Sequence, residues 1–487
     1  MRSMLLLLCT AAVAAAPAAS SAQGGRVLSP RYVQESQQDH PKLIAEFGGA
    51  ETGPRAAYVD SVGRRVAAYS GVAPGAYRFT VLNSAVENAF ATPGGYIYIT
   101  RQLMGLMDNE AELAFALGHE VGHVAANHAQ ARESYARRSS VLGVLGAILG
   151  SVVGGGFGNV IAEMATTRAQ LATLSFSRDQ EYQADTLGLR YLVNAGYDPG
   201  GGAGVLAALT RASALEARVQ GRDSRQTPEW ASTHPLSENR VQRAIAEARR
   251  TGRLGTGMRN RDQFLAQLDG VFVDDDPAQG VIDGRTFTHP DLRIFFAVPA
   301  GYLMSNGTTA VSISGSGGKA LFSGGRYTGT LENYTYRVLQ ELSGGQVRLA
   351  MGPTQRTVVN GVPAAYTISR ASTSSGTVDV GVFAYQWDRD TVYHFVTLTR
   401  AGAGIGPFVP MIQSIRRITP AEAAAIRPRI IDVVTVRAGD TVQTLASRMA
   451  YPTFRLERFL ALNGLQANSR LVPGQKLKLV VYGTRRT

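Results

Sequence analysis

His119-Glu120-Val121-Gly122-His123 constrains this chain more than any other stretch. On a helix, two histidines four residues apart project from one face a turn apart, so both imidazoles can reach a single metal ion. Glu120 lies beside that face and can take a proton from a metal-bound water, so the five residues can hold a zinc ion and its base. The helix itself is well signalled. Asn109 followed by Glu112 has N-cap spacing, and Leu113, Ala116, Leu117, Val121 and Val124 recur at helical period with no proline between them. Gly118 and Gly122 cost helix stability, roughly 1 kcal/mol each against alanine. Close approach of a substrate backbone or a neighbouring strand would offset that cost. His128, nine residues past His119, falls on the far side of a continued helix and reads as a surface or cap residue.

A third ligand is expected from a second helix. Ser177-Arg178-Asp179-Gln180 forms a capping box, and the helix stops at Asn194-Ala195-Gly196, with Pro199 beyond. Glu181 and Asp185 share one face. Glu181 can complete a His-His-Glu site with an open fourth position, and Asp185 can accept the free ring N–H of a ligand histidine. His234 is the competing third ligand. A third histidine on the first helix is excluded, because Ala126 and Ala129 stand where that motif needs glycine and histidine.

His119-Glu-x-x-His123, Glu181-Tyr-Gln-Ala-Asp185 and Ser232-Thr-His-Pro235 together resemble the gluzincin metalloproteases that include HtpX, the CAAX prenyl endopeptidase and BepA-like envelope proteases, over roughly residues 30 to 255. The resemblance implies zinc held by His119, His123 and Glu181, with Glu120 as general base. It implies that Asp185 supports the ligands from behind, that Arg240 stands nearby, and that His234 faces the metal to stabilise an oxyanion or cover the ion at rest. It also implies that the strand around Asn88, Ala89, Phe90 and Ala91 borders the cleft and pairs with an extended substrate backbone. That mode suits a protease accepting many sequences, because main-chain hydrogen bonds do not read side chains. Pro93-Gly94-Gly95 marks a turn into a second strand, Tyr96-Ile-Tyr-Ile-Thr100.

Residues 1–22 read as a secretory signal ending in Ser20-Ser21-Ala22. The chain's one cysteine, Cys9, lies within it, so the exported form is expected to have no disulfide. A formal charge of +12 favours anionic partners such as headgroups or wall polymers. Nucleic acid is not among them, since no binding motif for it occurs. Residues 139–162 are apolar and uncharged and read as a lid beside the site, ahead of a membrane-surface contact and of a true transmembrane helix.

The fold class expected is α+β and multidomain: a mainly helical metalloprotease domain (23–255), a linker (256–285), a strand-rich α+β module (286–420) and a small βααβ domain (432–482). The linker carries an acidic turn, Asp274-Asp275-Asp276-Pro277, and the module is punctuated at Asn306-Gly307, Gly317-Gly318, Gly344-Gly345 and Asn360-Gly361. Phe408–Ile415 is expected to form a helix on its sheet, and His289 and His394 are structural. Ala438-Gly-Asp-Thr441, Leu462-Asn-Gly-Leu465 and Val472-Pro-Gly-Gln-Lys-Leu477 resemble the LysM domain, which implies N-acetylglucosamine-containing glycans such as peptidoglycan as ligand. Contact is expected at Gly439, Asp440, Thr441, Asn463, Gly464 and Leu465.

These readings converge on an exported, periplasmic or envelope zinc endopeptidase that cleaves unfolded or misassembled envelope proteins and is held at the wall by its last module. The alternatives are a peptidoglycan-binding assembly protein with a silent protease domain, and a metal-dependent peptidoglycan hydrolase.

Overall fold

The computed structural model describes residues 25–129, 176–219, 234, 238–343, 348–350, 352–373 and 376–483. The signal segment and the apolar segment 139–162 lie outside these residues. Among the described residues no helix is long and apolar enough to cross a membrane.

Helices α1 (Pro30–Glu46) and α2 (Pro54–Ala67) lead into a three-stranded sheet of β1 (Arg78–Leu82), β2 (Ala89–Ala91) and β3 (Tyr96–Thr100). The strand order is β1-β3-β2, with β1 parallel and β2 antiparallel to the central strand. A short α3 (Arg101–Leu106) precedes α4 (Glu110–Ala125), which carries the histidine pair. Asn109 caps α4 by accepting from the Glu112 N–H, and the Glu112 carboxylate reaches back to the Asp108 N–H at 2.8 Å. The first turn of α4 is also moored through Glu110, which accepts from Tyr58, from Tyr197 at 2.6 Å and from Asn260 at 3.0 Å.

Packed across α4 is α5 (Arg178–Asn194), opened by the Ser177/Gln180 capping box and stopped at Gly196, whose φ is +84°. The helices α6 (Gly200–Val219) and α7 (Glu238–Arg250) follow. The stretch expected to be a linker is instead part of the packed body. It forms α8 (Arg261–Leu268), whose Phe264, Leu265 and Leu268 are wholly buried, and β4 (Phe272–Val273). The acidic turn beside it encloses the buried Arg101, whose guanidinium donates to the carbonyls of Phe272 (2.7 Å) and Asp274 (2.6 Å).

The α+β module has two sheets. The small one comprises β5 (Val281–Asp283), β6 (Thr286–His289), β7 (Ile294–Ala297) and a late strand named below. The large one is built from β8 (Leu303–Asn306), β9 (Ala310–Gly315), β10 (Gly318–Arg326), β11 (Arg348–Ala350), β12 (Gln355–Val359), β13 (Val362–Thr373), β14 (Gly376–Asp388) and β15 (Thr391–Arg400). Its central strands are 12, 13 and 10 residues long, well beyond the short strands expected. Helix α9 (Leu331–Ser343) covers one face through Tyr334, Val338, Leu339 and Leu342. The other face packs on the small sheet and on α10 (Val409–Ser414), the helix expected at Phe408–Ile415. β16 (Arg416–Arg417) completes the small sheet, and α11 (Pro420–Ala425) leads out of the module.

The last module is βααβ: β17 (Arg429–Thr435), α12 (Val442–Ala446), α13 (Arg455–Asn463) and β18 (Lys476–Tyr482). Its two strands pair antiparallel, and β4 adds to the β17 edge. Phe454 takes the left-handed conformation (φ +56°) at the start of α13. Leu477, Leu479 and Val442 share one continuous core with Leu103, Met104 and Leu268, so this module is packed into the helical body.

Candidate metal centre

Glycines let α4 and α5 approach closely. A Cβ on Gly188 would stand 3.0 Å from the His119 main-chain nitrogen, and one on Gly122 would stand 3.2 Å from the Ala184 carbonyl oxygen. The close approach expected at Gly118 and Gly122 is therefore made by the second helix, neither by a strand nor by substrate.

This packing brings His119, His123, Glu181 and His234 into one buried cluster, with a ligand atom from each within 4.8 Å of all the others. The facing Nε2 atoms of His119 and His123 are 3.0 Å apart. Glu181 Oε1 lies 3.5 Å from His123 Nε2, and Oε2 lies 3.6 Å from His119 Nε2. His234 Nδ1 stands 3.4 Å from His119 Nε2 and 3.0 Å from Glu181 Oε1. Four-coordinate zinc with bonds of about 2.0–2.1 Å spaces its donors by roughly 3.3 Å. The three imidazoles and one carboxylate thus match such an ion in both chemistry and spacing. His234 stands where it could supply a fourth donor, at the position the reading with His-His-Glu ligands left open for water.

The groups behind the donors orient them. His119 Nδ1 lies 3.0 Å from Asp185 Oδ1, which turns its Nε2 lone pair to the centre. His123 is oriented by a residue expected on the surface. His128 is buried, its Nδ1 is 2.9 Å from His123 Nδ1, and its Nε2 is 2.9 Å from Gln183 Oε1. With Nε2–H donated to Gln183, the neutral His128 ring accepts at Nδ1 from His123, leaving His123 Nε2 free to ligate. The expectation failed because α4 ends at Ala125 and Asn127 turns left-handed (φ +56°), folding His128 back under the ligands. An asparagine just past a helical run was the available signal.

Arg240, from α7, closes the rear of the site. It forks onto Asp185 through Nε (2.9 Å) and Nη2 (2.7 Å) and reaches Glu181 Oε2 through Nη1 (2.9 Å). Burial alone would raise the Glu181 and Asp185 carboxyls. His234, His119 and Arg240 outweigh it, and both groups lie below their ordinary pKa. Burial opposes a charge on His234, yet Glu181 and Glu120 hold its pKa above the usual value. Glu120 shows the reverse balance. Burial raises its pKa, only partly offset by His234 and His119, and Oε2 has no hydrogen-bond partner among the described residues.

The ring of Phe176 lies against His123, tilted by 30° with centroids 3.7 Å apart. Beside it a cavity of about 240 Å³ is bordered by Tyr32, Ala91, Pro93, Val124 and Phe176. β2 is the edge strand of its sheet on this side. Asn88 and Ala89 are buried. Phe90 packs on Phe47 and Tyr98, and Ala91 is half-buried.

Residues 54–248 match Peptidase family M48, and residues 434–480 match the LysM domain. The helical body carries the match to family M48. It is 31% identical over 190 residues to the Beta-barrel assembly-enhancing protease of Escherichia coli O157:H7, covering 38% of this chain and 37% of that protein. Similarity to the Mitochondrial metalloendopeptidase OMA1 of Schizosaccharomyces pombe is 27% over 211 residues, covering 43% and 58%. The chain thus spans little more than a third of the length of the first of these relatives. A solved structure of cyanobacterial PsbP from Synechocystis aligns with a TM-score of 0.23 and 10% identity, covering 28% of this chain and 98% of that one.

The LysM residues singled out from sequence separate into two groups. Gly439 and Thr441 are exposed, with Thr441 capping α12, and Asp440 accepts from the Arg437 N–H at 2.7 Å. Asn463 is not available to a glycan. It is buried, donating to the carbonyls of Phe459 (3.0 Å) and Lys478 (2.9 Å) and accepting from the Lys478 N–H (2.8 Å). Gly464 sits against Arg211 of the helical body, and Leu465 packs on the shared core.

Proposed function

We propose that this chain is an exported zinc endopeptidase acting on unfolded or misassembled cell-envelope proteins. The observation that carries this reading is the convergence of His119, His123, Glu181 and His234 at donor spacings that fit zinc, with the buried carboxylate of Glu120 beside them. Bound there, zinc would polarise the scissile carbonyl and acidify a water. Glu120, made more basic by its burial, accepts the water proton and hands it to the leaving amine. With zinc bound, His234 Nδ1 would hold the position that a water needs, and His234 would have to withdraw before attack. Once withdrawn, it would be available to donate to the developing oxyanion.

An extended peptide adds to the β2 edge at Asn88–Ala91 and places one side chain in the cavity beside Phe176. Folded proteins rarely present such a strand, which restricts cleavage to unfolded segments. The LysM module offers its exposed loop at Gly439–Thr441 to wall glycan, which would hold the enzyme among envelope substrates.

Purified protein should degrade casein, lose that activity on chelation and in Glu120→Gln, and leave murein intact. Release of murein peptides would make the chain a peptidoglycan hydrolase. Zinc binding with neither activity would make it an assembly protein with a silent protease fold.

A further inference from the structure

Lys478 has no exposed side-chain surface, in a chain with only four lysines. Burying an ammonium is unfavourable unless oxygens replace its water. Those oxygens come from the helical body. Nζ donates to the carbonyls of Gly105 (3.0 Å) and Met107 (2.6 Å) and lies 3.2 Å from Asp108 Oδ1. Residues 105–108 form the end of α3 and the turn that launches α4. A second bridge runs alongside. Arg261 donates to the Asp108 carbonyl (2.7 Å) and to the Lys476 carbonyl (2.9 Å), linking that turn to β18 again. On the far side Arg211 donates to the Ala461 carbonyl at 3.2 Å. Burial and Asp108 raise the Glu112 carboxyl, in the first turn of α4, to about 7, and Lys478 opposes that rise.

We infer that Lys478 is a positioning residue for the metal helix, and that the LysM module is a fixed clamp on α4 as well as a glycan reader. A helix is stiff over the roughly 15 Å from its first turn to the ligand pair, so a displaced launch turn displaces His119, Glu120 and His123 relative to Glu181. Misplacement of about 1 Å is enough to impair a catalytic site. This inference rests on the metal-centre reading above and extends it: glycan held by the module is held at a set distance from the catalytic groups.

The test uses the full-length chain carrying Lys478→Met, with Lys478→Met/Asp108→Asn as a companion that removes the stranded carboxylate. In metal-free protein, amide exchange at residues 105–119 should accelerate about tenfold while β17 stays protected. Zinc affinity should fall about tenfold. On a casein-derived peptide kcat should fall with KM little changed. The companion should regain thermal stability but neither zinc affinity nor kcat. Val338→Ala, a change in the separate core beneath α9, serves as the control that lowers stability without altering kcat. The inference is overturned if both Lys478 variants keep wild-type zinc affinity and α4 exchange, or if exchange quickens evenly along the chain. Wild-type protein that binds zinc without cleaving peptide would refute the peptidase reading alone, since the exchange and affinity measurements still decide the role of Lys478.

Discussion

Arg240 grips Asp185 with two of its nitrogens, 2.9 and 2.7 Å from the carboxylate oxygens, and its third nitrogen reaches Glu181 at 2.9 Å. One planar cation therefore fixes both the proposed metal carboxylate and the group that orients His119. A lysine ammonium is a single point donor and lacks the planar fork that grips both Asp185 oxygens while reaching Glu181. Arg240→Lys should weaken zinc binding by about 10- to 100-fold, read by competition with a chromogenic chelator. Arg240→Met strands two buried carboxylates and should lower stability by about 3–5 kcal/mol in denaturant titration.

The division of labour at the centre predicts different outcomes at three positions. Glu181→Ala should lose its zinc by elemental analysis. His234→Ala should retain it, because three donors remain. Glu120→Gln should bind zinc normally and lose about 10²- to 10⁴-fold in kcat. Full zinc occupancy in Glu181→Ala would remove that residue from the ligand set.

His128 acts on the ion only through the His123 ring. His128→Ala should lower zinc affinity about tenfold and broaden the pH range over which zinc is lost, while kcat at saturating zinc stays near wild type. Unchanged affinity would show that His123 needs no partner at Nδ1.

His394 carries a pH dependence of its own. It is buried beneath α9 with Tyr334 Oη 2.8 Å from Nδ1, and burial lowers its pKa to about 4. The unfolded chain, with an ordinary value of 6.5, binds the proton first as pH falls. The stability is therefore whole above pH 6.5 and declines down to pH 4, by up to about 3 kcal/mol. His394→Gln keeps an acceptor for Tyr334 and should flatten that decline in calorimetric melts between pH 7 and 4.5. An equally steep decline in the variant would place the effect elsewhere.

Legibility in the sequence followed the range of the interaction. The histidine pair, the Ser177 capping box and the strand-helix-helix-strand order of the last module all rest on neighbours within a few residues, and the structure shows each of these elements. Errors arose where a local pattern was extended too far or where tertiary contacts decided the outcome. His128 was assigned by continuing a helix that Asn127 ends. The helix at Leu331–Ser343 was missed because its tyrosines, threonine and valine suit a strand equally well by composition. Residues 261–268 looked like a linker because one turn of apolar side chains carries little periodic signal, yet three of them are buried completely. Neither Lys478 nor Asn463 could be placed, since what buries each is chain brought together from far along the sequence.

The three glycines at the crossing of the two central helices carry a further consequence. Positions 118, 122 and 188 supply no ligand atom, yet the bite of the site depends on the tight approaches at 122 and 188, whereas a methyl at 118 would meet only ordinary contact at 3.4 Å. A single methyl at 188 would pry the two rods apart and widen the cage while leaving every coordinating atom intact. Changes that spoil this site can therefore arise where nothing was removed and only bulk was added.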